Sequence, residues 1–123
     1  MELNAAKRLR STKAMQTRAA LSPEEEAEKV AKVLTKKFGK PSSDDDWEEG
    51  KFWGVPGTAI DFSLSVTNKG LAFEFIGEDG EFIAEGKTAQ ALIKDLKEQA
   101  SYLIPDVDSA ADAKCCRTLK KLT

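Results

Sequence analysis

Residues 60–86 read IDFSLSVTNKGLAFEFIGEDGEFIAEG, and this stretch decides the fold. Apolar and polar residues alternate along it, which is the period of β-strands that bury one face and expose the other. A turn at 68–70 separates the first two runs, and Asp79-Gly80 is a typical two-residue hairpin signal. We therefore expect three antiparallel strands, with a hairpin at Asp79-Gly80 that pairs Phe75 with Ala84.

The two faces of this predicted meander differ in chemistry. Large apolar residues share one face and are expected to form the core: Phe62, Leu64, Val66, Leu71, Phe73 and Phe75. On the other face, the same register places Ile76 opposite Ile83, among Glu74, Glu81 and Glu85. Two exposed isoleucines surrounded by carboxylates indicate a surface that a partner could cover.

A helix is predicted on each side of the meander. Ser22, Pro23 and Glu25 form a helix start with a capping box, and apolar residues follow at three- and four-residue spacing. Thr88 is expected to cap a second amphipathic helix, which ends before Pro105. The order predicts an α+β fold in which both helices cover one face of a three- to four-stranded antiparallel meander.

The remaining segments are predicted to be linkers and arms. Residues 1–21 are a basic N-terminal arm or helix, 22–105 form a single α+β domain, and 106–123 are a C-terminal tail with a short helix. The stretch 41–46 is interpreted as an exposed linker, because it has turn residues, its three aspartates repel one another and nothing in it can be buried. Residues 51–55 are expected to add a short edge strand.

Composition favours binding over catalysis. The chain has 19 Lys and Arg against 21 Asp and Glu, and no histidine for acid–base chemistry near neutral pH. Cys115 and Cys116 are too few for a disulfide framework or a tetrahedral metal site, so a reducing compartment is expected. The cytoplasm is the default, and the alternative is an organelle to which the Arg-rich, acid-poor start of the chain would direct the protein as a transit peptide. No apolar run approaches the ~18 residues that span a bilayer. We expect no enzyme activity, no metal and no membrane association.

A small-molecule cofactor is not expected either. Gly86-Lys87-Thr88 opens a helix after a strand, as a phosphate-binding loop does, but that loop needs a glycine where this chain has Glu81. Thr88 is interpreted as an ordinary helix cap.

The leading hypothesis is a protein-binding accessory factor, such as an inhibitor, adaptor or assembly component of the kind that phages and mobile elements often encode. Its partner would be another protein. The candidate protein-binding residues are Trp47, Phe52, Trp53, Ile76 and Ile83. Tryptophan is a frequent interface anchor, although it serves equally well in a core. Phe52 and Trp53 must point to opposite faces of a strand, so one of the two is the better candidate for exposure.

The alternative hypothesis is nucleic-acid binding. The candidate phosphate-binding residues are Lys7, Arg8, Arg10, Lys13 and Arg18, joined by cations between 114 and 121. The order of elements over 22–105 resembles that of double-stranded-RNA-binding domains in topology. Those domains carry a lysine cluster at the start of the second helix, where this chain has Thr88, Ala89, Gln90 and Ala91 after Lys87.

Overall fold

The computed structural model describes residues 21–44 and 46–123. For Asp44 it describes the backbone only. Except for Leu21, the predicted N-terminal arm with its five basic candidates lies outside the described residues. The elements are α1 (Pro23–Phe38), β1 (Ser43–Asp44), β2 (Lys51–Gly54), β3 (Asp61–Thr67), β4 (Gly70–Ile76), β5 (Glu81–Gly86), α2 (Ala89–Leu103), a 3-10 turn (Ile104–Asp106) and α3 (Ala110–Leu119).

The α+β prediction is confirmed. Strands β2 to β5 form the expected antiparallel meander, and the two-residue β1 extends it to a sheet of order β1-β2-β3-β4-β5. The prediction of an exposed linker was wrong at β1, because Ser43 pairs with Phe52 at the edge of the sheet. The loop between β3 and β4 has two residues, which keeps the apolar side chains of both strands on one face.

Both predicted helix starts are present. The Ser22 hydroxyl accepts a hydrogen bond from the Glu25 amide at 3.2 Å, and the Glu25 carboxylate accepts one from the Ser22 amide at 2.9 Å. The Thr88 hydroxyl accepts from the Ala91 amide at 3.1 Å. The end of β5 and the first turn of α2 are in close contact. A Cβ atom added to Gly86 would overlap the backbone of that turn.

The core is built around a row of aromatic rings on the sheet. Trp53 stacks on Phe62 with centroids 5.6 Å apart, Phe62 lies 5.3 Å from Phe73, and Phe73 lies 5.9 Å from Phe82. The apolar stripes of α1 and α2 cover this row, as their buried residues show: Ala27, Val30, Ala31, Leu34, Ala89, Leu92, Leu96 and Ala100. One face of the sheet is therefore fully used in folding.

The register of β4 and β5 differs from the prediction by two residues. Phe75 pairs with Phe82 and not with Ala84, and the chain reverses at Glu78-Asp79 instead of Asp79-Gly80. Since the shift is even, each side chain keeps its predicted face. The predicted pairing of Ile76 with Ile83 was wrong, because Ile76 lies opposite Glu81 and Ile83 opposite Glu74.

The C-terminal segment is part of the folded unit. Residues 106–123 were expected to be a tail, and the short helix expected there is α3, but Cys115, Cys116, Leu119 and Leu122 are buried in the same core as the sheet. Four buried side chains from one segment indicate that the domain continues to Leu122 and does not end at 105.

Candidate protein-binding surface

The face of the sheet opposite the helices is the candidate binding surface, which we call the outer face. Cross-strand pairing aligns Phe52, Ser63, Glu74 and Ile83 in one row across β2 to β5. The neighbouring row contains Asp61, Ile76 and Glu81. Because successive residues of a strand alternate between faces, all these side chains point away from the aromatic core.

Three large apolar side chains are exposed on the outer face. Ile83 is 57% exposed, Ile76 45% and Phe52 39%. Between Phe52 and Ile76 the small side chain of Ser63 leaves a depression of about 240 Å³, which Asp61 and Glu74 also line. A shallow apolar recess with acidic sides can accept a side chain that carries both apolar and cationic parts.

The charge of the outer face is uniformly negative along its three longest strands. Asp61, Glu74, Glu81 and Glu85 are exposed there, and β3, β4 and β5 contain no lysine or arginine. These carboxylates surround the apolar groups with a negative rim. A surface of this kind repels phosphates and attracts cationic groups.

The structure separates the five predicted protein-binding residues. Phe52, Ile76 and Ile83 share the outer face, but Trp53 is only 1% exposed and belongs to the core. Its indole nitrogen donates a hydrogen bond to the Gly39 carbonyl at 3.1 Å. Trp53 is therefore removed from the candidate surface, and Phe52 is the exposed member of the Phe52-Trp53 pair.

Trp47 has a mixed environment. It is half-buried against the core, and the Lys51 ammonium lies 4.6 Å from its ring centroid, within the range of a cation–π contact. Its carbonyl oxygen accepts a hydrogen bond from the Val66 amide at 2.9 Å. Trp47 thus anchors the loop before β2 and does not belong to the cross-strand rows of the outer face.

A second charged surface lies on the side of α3. Lys114 and Arg117 of α3 and Lys121, which follows the helix, line a cleft of about 340 Å³ together with Lys37 from the last turn of α1. Among the described residues, no carboxylate lines this cleft. We call these four residues the basic cluster. The sequence indicated the cations of α3, but Lys37 comes from a distant helix and no local pattern points to it.

A buried carboxylate links α3 to the hairpin between β4 and β5. Asp112 is fully buried and accepts hydrogen bonds from the amides of Glu78, Asp79 and Gly80 at 2.7, 2.9 and 3.1 Å. The Asp79 carboxylate in return accepts from the amides of Asp108 and Ser109 at 2.8 and 3.1 Å. We call this pair of carboxylate contacts the hairpin lock; it was not predicted, because its partners are more than 25 residues apart.

The titration of Asp112 follows from these contacts. Burial acts to raise the pKa of its carboxyl group, but the amides of Asp79, Glu78 and Gly80, together with the contact to the Asp79 side chain, outweigh burial and hold the pKa below its usual value. Asp112 is therefore ionised at neutral pH. Since both of its oxygens already accept backbone hydrogen bonds, its role is structural.

The two cysteines are unsuited to nucleophilic chemistry. Burial, with the neighbouring Cys116 and Asp112, raises the pKa of Cys115 to about 12. Burial and Asp112 raise the pKa of Cys116 to about 11. Both thiols remain protonated near neutral pH, and the thiolate is the reactive form.

Comparisons with known proteins leave the function open: no protein-family model matches the chain, and no curated protein or solved structure is significantly similar to it. Within the described ranges, no three His, Cys, Asp or Glu side chains are grouped so that they could hold a metal ion. None of the described helices is long and apolar enough to cross a membrane.

Proposed function

We propose that this protein is a non-catalytic accessory factor that binds another protein on the outer face of its sheet. The observation that carries the proposal is the alignment of Phe52, Ile76 and Ile83 on one face, each between 39% and 57% exposed, inside a frame of carboxylates. Exposed apolar groups with a polar rim are typical of protein interfaces.

The chemistry of the surface defines the kind of partner. The apolar groups favour a partner with an apolar centre, and the rim of Asp61, Glu74, Glu81 and Glu85 favours lysine or arginine around that centre. Complementary rim charges mainly accelerate association, whereas the apolar centre supplies most of the affinity. The partner surface is therefore expected to be basic at its edge and apolar at its middle.

A binding role is also consistent with the chemistry of the cysteines. The chain has no histidine, and both cysteines are buried thiols with raised pKa values. Nucleophilic catalysis requires an exposed and activated group, which neither thiol provides.

The test is affinity capture from cells that express the protein, with three forms of the chain as bait. Ile76→Glu places a carboxylate in the apolar centre and should weaken retention of the partner about 30-fold, since a central anchor contributes about 2 kcal/mol. Gln90→Glu adds the same charge at an exposed position on α2 and is the matched control. A partner retained equally by all three forms would refute the proposed surface.

The basic cluster supports a second candidate function, the binding of a nucleic acid or another polyanion. One cleft is lined by four cations from two distant parts of the chain, and among the described residues no carboxylate lines it: Lys37, Lys114, Arg117 and Lys121. Phosphate groups would neutralise this concentration of charge. The five basic candidates near the N-terminus would add to the same kind of contact.

The salt dependence of binding tests this second function. A 20-base single-stranded RNA and a duplex of the same sequence would be titrated at several salt concentrations against the wild type. Replacement of Lys114, Arg117 and Lys121 by glutamine should flatten the slope of log affinity against log salt by roughly two to three units. The control replaces the exposed Lys69, Lys87 and Lys94, which lie outside the cluster. Equal slopes for both triple variants would exclude the cluster as the contact.

A further inference from the structure

Strand β5 is an edge of the sheet. It pairs with β4 on one side, and no described strand lies on its other side. The Gly77 amide donates to the Gly80 carbonyl at 2.7 Å, so this carbonyl and the backbone groups of every second residue after Gly80 face β4. The backbone groups of Glu81, Ile83 and Glu85 consequently face away from the sheet.

The contacts of Glu85 confirm this direction. Its amide donates to the Asp95 carboxylate of α2 at 2.9 Å, across the free edge. Asp95 therefore accepts from the edge amide at the end of β5. For the edge amides of Glu81 and Ile83, at the beginning of the strand, the described part of the chain shows no acceptor. An open row of backbone donors and acceptors is a template for an added strand.

Helix α2 forms one wall beside this edge. Leu103 lies near Gly80 at the start of β5, while Asp95 lies near its end, so α2 runs antiparallel to the strand. Gln99 and Tyr102 follow Asp95 on the same side of the helix, and Tyr102 is 67% exposed. An added strand would thus have α2 on one of its faces and would continue the outer face on the other.

The charges along β5 select the occupant. Ile83 stands between Glu81 and Glu85 on the outer face, all three exposed. In a twofold antiparallel pair centred on Ile83, Glu81 of one copy would lie opposite Glu85 of the other, and like charges directly opposite each other are unfavourable. A second copy of this chain is therefore disfavoured. A segment with an apolar residue between two cationic ones, at alternating positions, would place opposite charges across both pairs.

We propose that the free edge of β5 receives an extended basic and apolar segment of the partner protein as a sixth strand. This inference rests on the proposed function, since it assigns the mode by which the partner meets the outer face. Backbone hydrogen bonds to Glu81 and Ile83 supply part of the affinity, and lysine or arginine opposite Glu81 and Glu85 sets the register and the specificity.

A synthetic probe tests the mode of binding without knowledge of the partner. The probe is a short capped peptide in which lysine, valine and lysine occupy alternate positions between threonines, and its control has glutamate in place of both lysines. The lysine peptide is expected to bind about tenfold more tightly than the glutamate peptide, and less so in high salt. Equal binding, or no binding of the lysine peptide at millimolar concentration, would overturn the proposal.

Amide hydrogen exchange of the wild type locates the bound peptide. At saturation the Glu81 and Ile83 amides should exchange more slowly, while the Glu85 amide should change little because Asp95 already accepts its hydrogen bond. Unchanged exchange at Ile83 in the saturated complex would overturn strand addition.

A pair of substitutions separates the backbone of Ile83 from its side chain. Proline is tolerated at an edge position whose amide points outwards, so Ile83→Pro removes the outward donor and keeps the pairing with β4. Ile83→Ala removes the side chain alone. Peptide affinity should be about fivefold lower for Ile83→Pro than for Ile83→Ala, since one hydrogen bond contributes about 1 kcal/mol. Equal affinities of the two folded variants would contradict the inference.

The captured partner distinguishes this inference from the proposed function. A partner lost from Ile76→Glu but equally retained by Ile83→Pro and Ile83→Ala leaves the outer face as the binding surface and overturns strand addition. If the partner is retained equally by the wild type and Ile76→Glu, the proposed function is overturned instead. The peptide titration then tests, without the partner, whether the edge of β5 binds an added strand.

Discussion

The hairpin lock gives the sharpest prediction about stability. Asp112→Asn keeps the size of the side chain but leaves only one acceptor oxygen. The other position, which serves either Glu78 or both Asp79 and Gly80 depending on how the amide is oriented, becomes an NH2 group that cannot accept. Hydrogen bonds to a charged acceptor contribute about 1.5–3 kcal/mol each. Because water can reach amides at the tip of a hairpin, we expect the substitution to cost about 3 kcal/mol and not the full sum. This is a large part of a stability of ~5–15 kcal/mol.

The pH dependence follows from the lowered pKa of Asp112 in the folded protein. Ionised Asp112 contributes its full stabilisation when the pH is above its pKa in the unfolded chain, about 3.9. The stabilisation is lost as the pH falls through its lower pKa in the folded protein. The difference in unfolding free energy between wild type and Asp112→Asn should therefore be largest near neutral pH and should shrink as the pH falls below the unfolded pKa of about 3.9.

Urea unfolding at neutral and acidic pH measures this difference, with the fluorescence of Trp47 and Trp53 as the signal. Asp108→Asn is the matched control, because it makes the same change four residues earlier at an exposed side chain. The explanation would be refuted if Asp112→Asn cost the same at both pH values, or if Asp108→Asn were equally destabilising.

Three further outcomes are expected. Leu64→Asp should abolish cooperative thermal unfolding, because Leu64 is fully buried and an unpaired buried charge costs several kcal/mol; a wild-type melting temperature would contradict the assignment of the core. Cys115 and Cys116 should react with a thiol reagent only as fast as the protein unfolds, and rapid labelling of the native protein would contradict their burial. Because their pKa values are raised in the folded protein, the free energy of unfolding should fall as the pH rises above about 8.5, where the thiols of the unfolded chain ionise. Gly86→Ala should strongly lower the melting temperature because its Cβ would overlap the backbone of α2, whereas Gly54→Ala, with open space around it, should leave it nearly unchanged.

Local sequence patterns predicted the elements and the faces of the sheet correctly. Period-two alternation identified β3, β4 and β5, and capping residues placed the starts of α1 and α2. These features depend on neighbouring residues, so a single sequence contains the information needed to infer them. Alternation also showed that Phe52 and Trp53 point in opposite directions, but it could not show which of them faces the core.

The β4–β5 register, the burial of the C-terminal segment and the grouping of the surface residues depend on tertiary contacts, which the local patterns do not contain. The turn signal at Asp79-Gly80 suggested a register that is two residues from the observed one, because Asp112 holds the amides of residues 78–80 from more than 30 positions away. The burial of Cys115, Cys116, Leu119 and Leu122 is likewise a tertiary effect, since the weak apolar pattern of this segment is explained only by its packing on α2 and the rest of the core. Of the candidate surface, Ile76 and Ile83 were predicted together, whereas their proximity to Phe52 required the pairing of β2 with β3.

The hairpin lock also has a consequence for the order in which the chain folds during synthesis. The amides at the tip of the β4–β5 hairpin emerge from the ribosome more than 30 residues before Asp112, the carboxylate that binds them. Until then the hairpin and the aromatic row can form with α1 and α2 alone, but the tip lacks its acceptor and the alternative turn at Asp79-Gly80 remains available. Arrival of α3 would therefore select the native register late, so the folding rate of the meander should be less sensitive to Asp112→Asn than its unfolding rate.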